Sequence, residues 1–478
     1  MMSYRKASAS LLLGTLTLAG CVNLAPIYER PESPVPAELP GGATGVAMDD
    51  LIAWDQVFLS PELKELIELA LDQNRDLRIS AANIEVARAQ YGLSRSSLLP
   101  TVGASGTVQE GGRFSPEGVN SSSFRDSALV QLGVTGYELD FFGRVRNQTE
   151  ASLQSYLATV EGQRASRIAI IASVAELWVQ LASDRELLAL AQNTVEAQTD
   201  SFELTQELLD AGVVTALDTR RASASVQSAR AQAAQYEAQV RQDINALRLV
   251  VGTSLPASLQ DDAMLTPSPV QLELPVGMSS SILLNRPDVI AAERSMLAAN
   301  ANIGVARAAM FPSITLSGNV GYASTDLEDF FNNDVGGWTF GPSFDLPIFD
   351  YGARRSQIEV AEAQQQLALA QYESVIQTAF QETADTLAVA ETIDTRVDAL
   401  EQYAEDTDVT FNLSMERFRT GVDDYLSVLD AQREDYTAQT QLILARRDRA
   451  LNIIGLYRAL GAAPVVPGDD TSLASDDQ

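Results

Sequence analysis

Two stretches of this 478-residue chain are copies of one another. "NRDLRISAANIEVARAQYGLSRSSLLPTVGASG" begins at Asn74, and "NRPDVIAAERSMLAANANIGVARAAMFPSITLSG" begins at Asn285. One gap aligns Gly92 with Gly304, Arg95 with Arg307, Pro100 with Pro312, and Ser105-Gly106 with Ser317-Gly318. Further on, "YELDFFGRVR" from Tyr137 matches "FDLPIFDYGARR" from Phe344. "FELTQELLDAGVVTAL" from Phe202 then matches "FNLSMERFRTGVDDYL" from Phe411, which aligns Gly212 with Gly421 without a gap. Gly252 and Gly461 close the two copies at the same offset. Matched blocks in one order are a duplication, so the fold must be one that can be built twice.

Each copy reads as helix, two strands, long helix, glycine turn, long helix. The strands alternate with a period of two. In "SITLSGNVGY", Ile314, Leu316, Val320 and Tyr322 face one way, against Thr315, Ser317, Asn319 and Gly321. In "WTFGPSFDLPI", Trp338, Phe340, Phe344, Leu346 and Ile348 oppose Thr339, Gly341, Ser343 and Asp345. In the first copy Val102, Ala104 and Val108 alternate with Thr101, Ser105 and Thr107, and the segment from Ala128 is apolar on both faces in part. "EGGRFSPEGVNSSSFRD" and "STDLEDFFNNDVGG" between the strands have loop compositions.

From Gly143 to Gly212 there is no proline, and Gly162 is the only interior glycine. Ile171, Val174, Trp178, Leu181, Leu188, Val195 and Phe202 fall on a 3-4 spacing, with Arg185 at one seam position; this is a coiled-coil rhythm. Such a helix reaches roughly 100 Å. Gly352 to Thr420 behaves the same way.

Four strands of about ten residues have the length needed to cross a bilayer. Four cannot close a barrel, for which about eight is the bacterial minimum. Open edges in lipid leave backbone groups unpaired. Several chains must then share one barrel, eight strands for a dimer or twelve for a trimer. The alternative is a soluble four-stranded sheet packed on helices.

Cys21 is the only cysteine and there is no histidine, which removes disulfides, His-based triads and His or Cys metal sites. Arg5 and Lys6 precede a short apolar run ending "LLLGTLTLAG", too short to span a bilayer but suited to a secretory signal. Leu18-Ala19-Gly20-Cys21 resembles a bacterial lipobox, which implies that Cys21 is lipidated and becomes the mature N-terminus; the other reading is an incidental free thiol. Val22, rather than an aspartate, argues by the same resemblance against retention at the inner membrane. Beyond residue 20 no run of about 18 apolar residues stands out as a transmembrane helix. With 33 basic and 64 acidic residues the net charge is −31, which repels nucleic acid and reads mainly as a solvated acidic surface.

The set of "APIYERPESPVP" after the lipobox, "NRPDV" at Asn285–Val289, "ARAAMFPSITLSG" at Ala306–Gly318, "LPIFDYG" at Leu346–Gly352 and "RFRTGVDDYLSVLDAQR" at Arg417–Arg433 resembles the TolC-type outer membrane factors, in the lipoprotein branch that serves tripartite efflux pumps. The resemblance extends to about Gly461. It implies a mainly α chain with a membrane β-barrel: four strands per chain closing as a 12-stranded barrel in a homotrimer, and a long periplasmic coiled-coil α-barrel. It implies residues 1–20 as signal peptide, 21–50 as lipid anchor and extended linker, 51–252 and 281–461 as the two repeats, 253–280 as an equatorial connector, and 462–478 as a disordered acidic tail. Leu51–Leu71, Val251–Ile282 and the tail then form a belt around the tube. The implied partners are a periplasmic adaptor, an inner-membrane pump and outer membrane lipids. No cofactor or metal is expected, and no nucleotide-binding loop is present, so energy comes from a partner.

The family's aperture residues carry over to Leu426 and Asp430, three of each forming an apolar constriction and an acidic ring. Some relatives have a second aspartate where this chain has Ser427. Asp423, Leu426 and Asp430 lie at i, i+3 and i+7, and read as one helix face; for Asp423 and Asp424 the other reading is helix capping. The matching turn, Gly212 to Leu217, is the alternate tip to the one at Gly421, with Asp218 a secondary candidate there. The rival functions are a type I protein-secretion duct and a periplasmic coiled-coil scaffold lipoprotein without a pore. No enzyme signature is present.

Overall fold

A computed structural model describes residues 22–40, 54–110, 127–256, 263–271, 279–324 and 336–461. The element order is α1 (Trp54–Val57), α2 (Pro61–Gln73), α3 (Arg75–Ser96), β1 (Val102–Gln109), β2 (Ser127–Glu138), α4 (Arg144–Asp210), α5 (Ala216–Val251), a 3₁₀ turn (Ser280–Asn285), α6 (Pro287–Ala308), β3 (Ser313–Ser324), β4 (Gly336–Asp345), α7 (Ala353–Arg419) and α8 (Tyr425–Ala459). The duplication is exact in its lengths where it matters: α3 and α6 have 22 residues each, and α4 and α7 have 67 each. The chain forms two compact units. One comprises Met1–Pro31, Asn83–Val160 and Ala291–Tyr372, the other Glu32–Ala82, Glu161–Ile290 and Glu373–Gln478.

The first unit contains a four-stranded antiparallel sheet in the order β1-β2-β3-β4. Register gathers the even-numbered residues on one face. Val102 pairs with Val134, Leu132 with Val320, Val130 with Tyr322, and Val320 with Trp338. Ile314 and Phe344 pair further along. The opposite face carries Thr315 and Ser343, whose hydroxyls lie 2.7 Å apart. A bulge between Val134 and Tyr137 changes the parity of β2, so odd-numbered Tyr137 joins Leu316. The apolar run Ala128-Leu129-Val130 lies before the bulge, in regular register. β4 ends at Asp345, so Leu346 and Ile348, expected to continue its apolar face, lie beyond the strand.

An extended segment after residue 21 docks in the same unit. The Val22 amide donates to Phe141 O at 3.1 Å, Asn147 Nδ2 to Asn23 Oδ1 at 2.9 Å, and Asn300 Nδ2 to Pro26 O at 2.9 Å. Gly304 leaves the room: a Cβ there would lie 2.9 Å from Ala25 Cβ and 2.5 Å from Asn147 Nδ2. Glu293 ends the segment's track, accepting from Tyr28 Oη and from both arms of Arg30, each at 2.8 Å. Burial, and then the Glu293 carboxylate, push the Tyr28 hydroxyl well above the ordinary phenol range.

The second unit holds the main core. Trp178, Leu181 and Ile171 of α4 meet Leu63, Leu66 and Ile67 of α2, Leu247 of α5, and Ile454 and Tyr457 of α8, all buried. Each such side chain contributes about 1.5–3 kcal/mol of burial. Phe58 packs edge-on to Tyr457 with ring centres 5.4 Å apart and forms a short bridge with Val270. The "NRPDV" motif is an anchor here: Arg286 is buried, donates to Asp288, Glu382 and Ala459 O, and so ties the 3₁₀ turn and α6 to α7 and the end of α8.

Two expectations about α4 need correction. The fully buried line beyond Leu181 runs through Leu187, Ala191, Gln198, Ser201 and Thr205, while Leu188, Val195 and Phe202 are only half-buried. The buried line therefore runs one position before the expected seam, at Leu187 rather than Leu188 and at Ser201 rather than Phe202. An 18-residue window of α4 also has a mean hydropathy of 1.4, enough for a membrane span by length and composition. Its apolar residues Ile171, Val174 and Val179 are core residues of the second unit.

Candidate functional site

The duplicated glycine turns lie in the second unit. Gly212, past the end of α4, has φ +73°, and Gly421, past the end of α7, has φ +74°. Both turns close the same way. The Gly212 amide donates to Leu209 O at 2.9 Å and the Val213 amide to Leu208 O at 2.8 Å; the Gly421 amide donates to Phe418 O at 2.9 Å and the Val422 amide to Arg417 O at 2.9 Å. These are paired 5→2 and 6→1 bonds, which need a left-handed residue where glycine has no steric cost.

The helices that leave the turns are capped by the same chemistry with the roles exchanged. Thr215 caps α5: its hydroxyl accepts from the Asp218 amide at 3.4 Å and donates to Asp218 Oδ2 at 2.6 Å, and that carboxylate accepts from the Thr215 amide at 3.0 Å. Asp424 caps α8: its Oδ1 accepts from the Ser427 amide at 3.1 Å and the Ser427 hydroxyl at 2.8 Å. Hydroxyl and carboxylate have traded places between the repeats. The Thr215 hydrogen bonds hold the Asp218 carboxyl below the usual range, with a smaller contribution from Arg221.

Asp423 is not a cap and does not share the helix face expected for it, because α8 begins at Tyr425. It is gripped instead by Arg417, which sequence spacing did not single out. That guanidinium holds the Asp423 carboxyl below its ordinary range. Ser427, expected at the aperture as a substitute for an acid, spends its hydroxyl on the cap. Leu426 and Asp430 do lie one turn apart on α8. Leu426 is 41% exposed, and the Asp430 side chain is 67% exposed with Arg433 Nη1 4.0 Å from its Oδ1.

A shared core steadies both turns. Ala222 of α5, Phe418 of α7, and Tyr425, Val428 and Leu429 of α8 are buried together, with Phe202, Leu204 and Leu208 of α4 packed against them. The Phe418 and Tyr425 rings lie 5.7 Å apart. Higher up, buried Gln198 of α4 donates to Gln432 of α8 at 2.6 Å. Residue 21, the expected lipid attachment site, lies outside the described residues. Among the described residues no cluster of metal-ligating side chains occurs.

The sequence profile of the family described as outer membrane efflux protein matches residues 66–253 and 278–462, one segment for each repeat. The chain is 38% identical over 467 residues to the probable efflux pump outer membrane protein TtgC of Pseudomonas putida, covering 95% of each chain. It is 38% identical over 464 residues to the outer membrane protein OprJ of Pseudomonas aeruginosa, again covering 95% of each. Its fold matches the open state of the MtrE outer membrane channel of Neisseria gonorrhoeae with a TM-score of 0.83 and 36% identity, over 92% of this chain and 98% of that one.

Proposed function

The chain belongs to the outer membrane efflux protein family, and from that premise we propose that it is the exit duct of a tripartite efflux system, passing small molecules from the periplasm across the outer membrane. The observation that carries the reading is the uncovered sheet. β1 is exposed along its whole length and β4 at all but one position. Trp338, Phe340 and Phe344 are 78%, 67% and 79% exposed. A soluble sheet would bury such side chains against helices, gaining about 1.5–3 kcal/mol for each. Here lipid supplies the apolar surroundings.

Lipid also forbids an open edge, and β1 and β4 each have one. An unpaired backbone group in hydrocarbon costs several kcal/mol. Edge β4 of one copy therefore joins edge β1 of the next, and three copies close twelve strands. In this homotrimer the glycine turns end the helical hairpins on the periplasmic side, where a periplasmic adaptor contacts them and an inner-membrane pump supplies the energy. Leu426 and Asp430 line the aperture at these tips. Lipidated Cys21 holds each protomer to the inner leaflet, with the docked segment from Val22 to Arg30 setting its reach. The clamp on Asp423 and the cap at Ser427 keep those two residues out of the aperture and in the walls that shape it.

The test is a planar bilayer holding the purified, detergent-solubilised protein. Discrete single-channel steps, and sensitivity of a deletion strain to solvents and dyes reversed by the natural gene, are the expected results. A stable protein that neither conducts nor restores resistance would make it a scaffold. Restored export of a polypeptide without restored drug resistance would make it a secretion duct.

A further inference from the structure

The duplication assigns a second charged position to the aperture. The alignment that places Gly212 on Gly421 places Thr215 on Asp424, Leu217 on Leu426 and Arg221 on Asp430. The paired 5→2 and 6→1 backbone hydrogen bonds keep this correspondence at the turns, and α5 and α8 begin at matched residues, Ala216 and Tyr425. Leu217 and Leu426 are thus each the second residue of a helix, and Arg221 and Asp430 each lie one turn later. Rotation per residue is fixed in an α-helix, so each pair projects in the same direction from its own tip. Burial agrees at these pairs, with Thr219 and Val428 buried and Leu217, Leu426, Arg221 and Asp430 exposed, whereas Ala216 and Arg220 are exposed where Tyr425 and Leu429 are buried in the tip core. Arg221 also lines, with Leu426 and Arg433, one groove of about 790 Å³ between α5 and α8.

Among the described residues, each charge has only a long ion-pair contact. Arg221 Nη1 is 3.8 Å from Asp218 Oδ1, on a carboxylate already engaged by Thr215, and Asp430 is 4.0 Å from Arg433. Both contacts exceed hydrogen-bond length and sit on exposed side chains. Arg220 adds a further exposed cation beside Arg221.

We infer that Arg221 faces the same narrowing as Asp430 and sets its ion preference, so that the aperture of the trimer is a ring of alternating guanidinium and carboxylate groups rather than an acidic ring. The inference rests on the assignment of Leu426 and Asp430 to the aperture. A ring of alternating sign presents little net field to a passing ion, and an exit duct built this way favours neither cationic nor anionic cargo.

Permeability of the purified natural trimer to K⁺ and Cl⁻, read from reversal potentials across a KCl gradient, tests this. The natural channel is expected to discriminate by less than about twofold; Arg221→Gln should raise K⁺ over Cl⁻ by about threefold or more, and Asp430→Asn should lower it by a similar factor. The double variant should return to the natural ratio, and Arg221→Lys should leave it unchanged. A ratio moved by Asp430→Asn but not by Arg221→Gln overturns the role of Arg221 and leaves the aperture where it is. A ratio moved by neither overturns the aperture assignment with it. Should Arg221→Gln fail to assemble, a natural channel already preferring K⁺ by more than about threefold overturns the alternating ring by itself.

Discussion

Arg417 grips Asp423 across the second glycine turn with two hydrogen bonds, Nε to Oδ2 at 2.6 Å and Nη2 to Oδ1 at 2.8 Å. The duplication puts Leu208 and Val214 at these two positions in the first turn. One turn therefore carries an ionic fork between its flanks, and the other has apolar residues at the same two positions on the same backbone frame. The forked turn is the one closed by an ion pair between its two flanks.

Arg417→Ala should speed amide hydrogen exchange across Val422 to Ser427 by about threefold, as expected for an exposed pair, and leave the first turn unchanged. High salt should do the same to the natural protein. Because Asp423 has a lowered pKa when folded, the fork's contribution is complete above the ordinary aspartate range and is lost as pH falls through the folded value. Second-turn exchange that Arg417→Ala leaves unchanged at pH 7 would show that the fork does not hold it.

The exchanged caps give a second expectation. Asp424→Ala and Thr215→Ala should each cost about 1 kcal/mol of local helix stability, the usual value of an N-cap. Asp424→Thr combined with Ser427→Asp writes the first repeat's cap into the second and should restore what Asp424→Ala loses. Exchange protection over the first turn of α8 reads the effect. A swapped cap no better than alanine would mean that the tip core of Phe418 and Tyr425, not the cap, sets the helix start.

Between α4 and α5 two buried carboxyl groups face one another. Asp184 and Asp243 are 4% and 5% exposed, each accepting from a glutamine on its own helix. Burial, and then a hydrogen bond with Asp184, raise Asp243 to about 6. A raised carboxyl binds its proton more tightly in the folded state. Stability is thus highest below the unfolded aspartate pKa, falls as pH rises toward 6, and stays reduced above it. Asp243→Asn should abolish that slope and raise stability near pH 7.5 on the order of 1–3 kcal/mol, measured from helical melting at pH 5 and 7.5. An unchanged difference between the two pH values would assign it to other groups.

Most of this architecture is legible in the sequence for plain reasons. Period-two runs such as Ile314–Tyr322 state their apolar face, and absence of proline between Gly143 and Gly212 permits one helix of 67 residues. What stayed hidden depends on phase between helices. The spacing of Asp423, Leu426 and Asp430 reads as one face only if a helix already runs through Asp423, and the cap at Asp424 rules that out. Arg417 is invisible because its partner lies across a turn. Gln198 lies off the 3-4 spacing that runs from Ile171 to Phe202, so that spacing does not report its meeting with Gln432. Spacing within one helix cannot report the rotation of its neighbour.

The aperture prediction combines size and charge. Leu426 and Asp430 sit one turn apart on the exposed side of α8, and neither belongs to the buried tip core. Leu426→Ala removes three apolar side chains from the narrowing, so conductance should rise by about twofold or more. Asp430→Ala removes three carboxylates and leaves the Arg221 guanidinium groups, so the permeability ratio of K⁺ to Cl⁻ should fall below that of the natural channel. The double variant should do both, and the trimer should dissociate on heating within a few degrees of the natural protein, since surface changes away from the core usually cost less than about 0.5 kcal/mol. Conductance and reversal potential of purified trimers decide the matter. If both are unchanged in Leu426→Ala/Asp430→Ala but altered in Leu217→Ala, the constriction is made by the first hairpin alone.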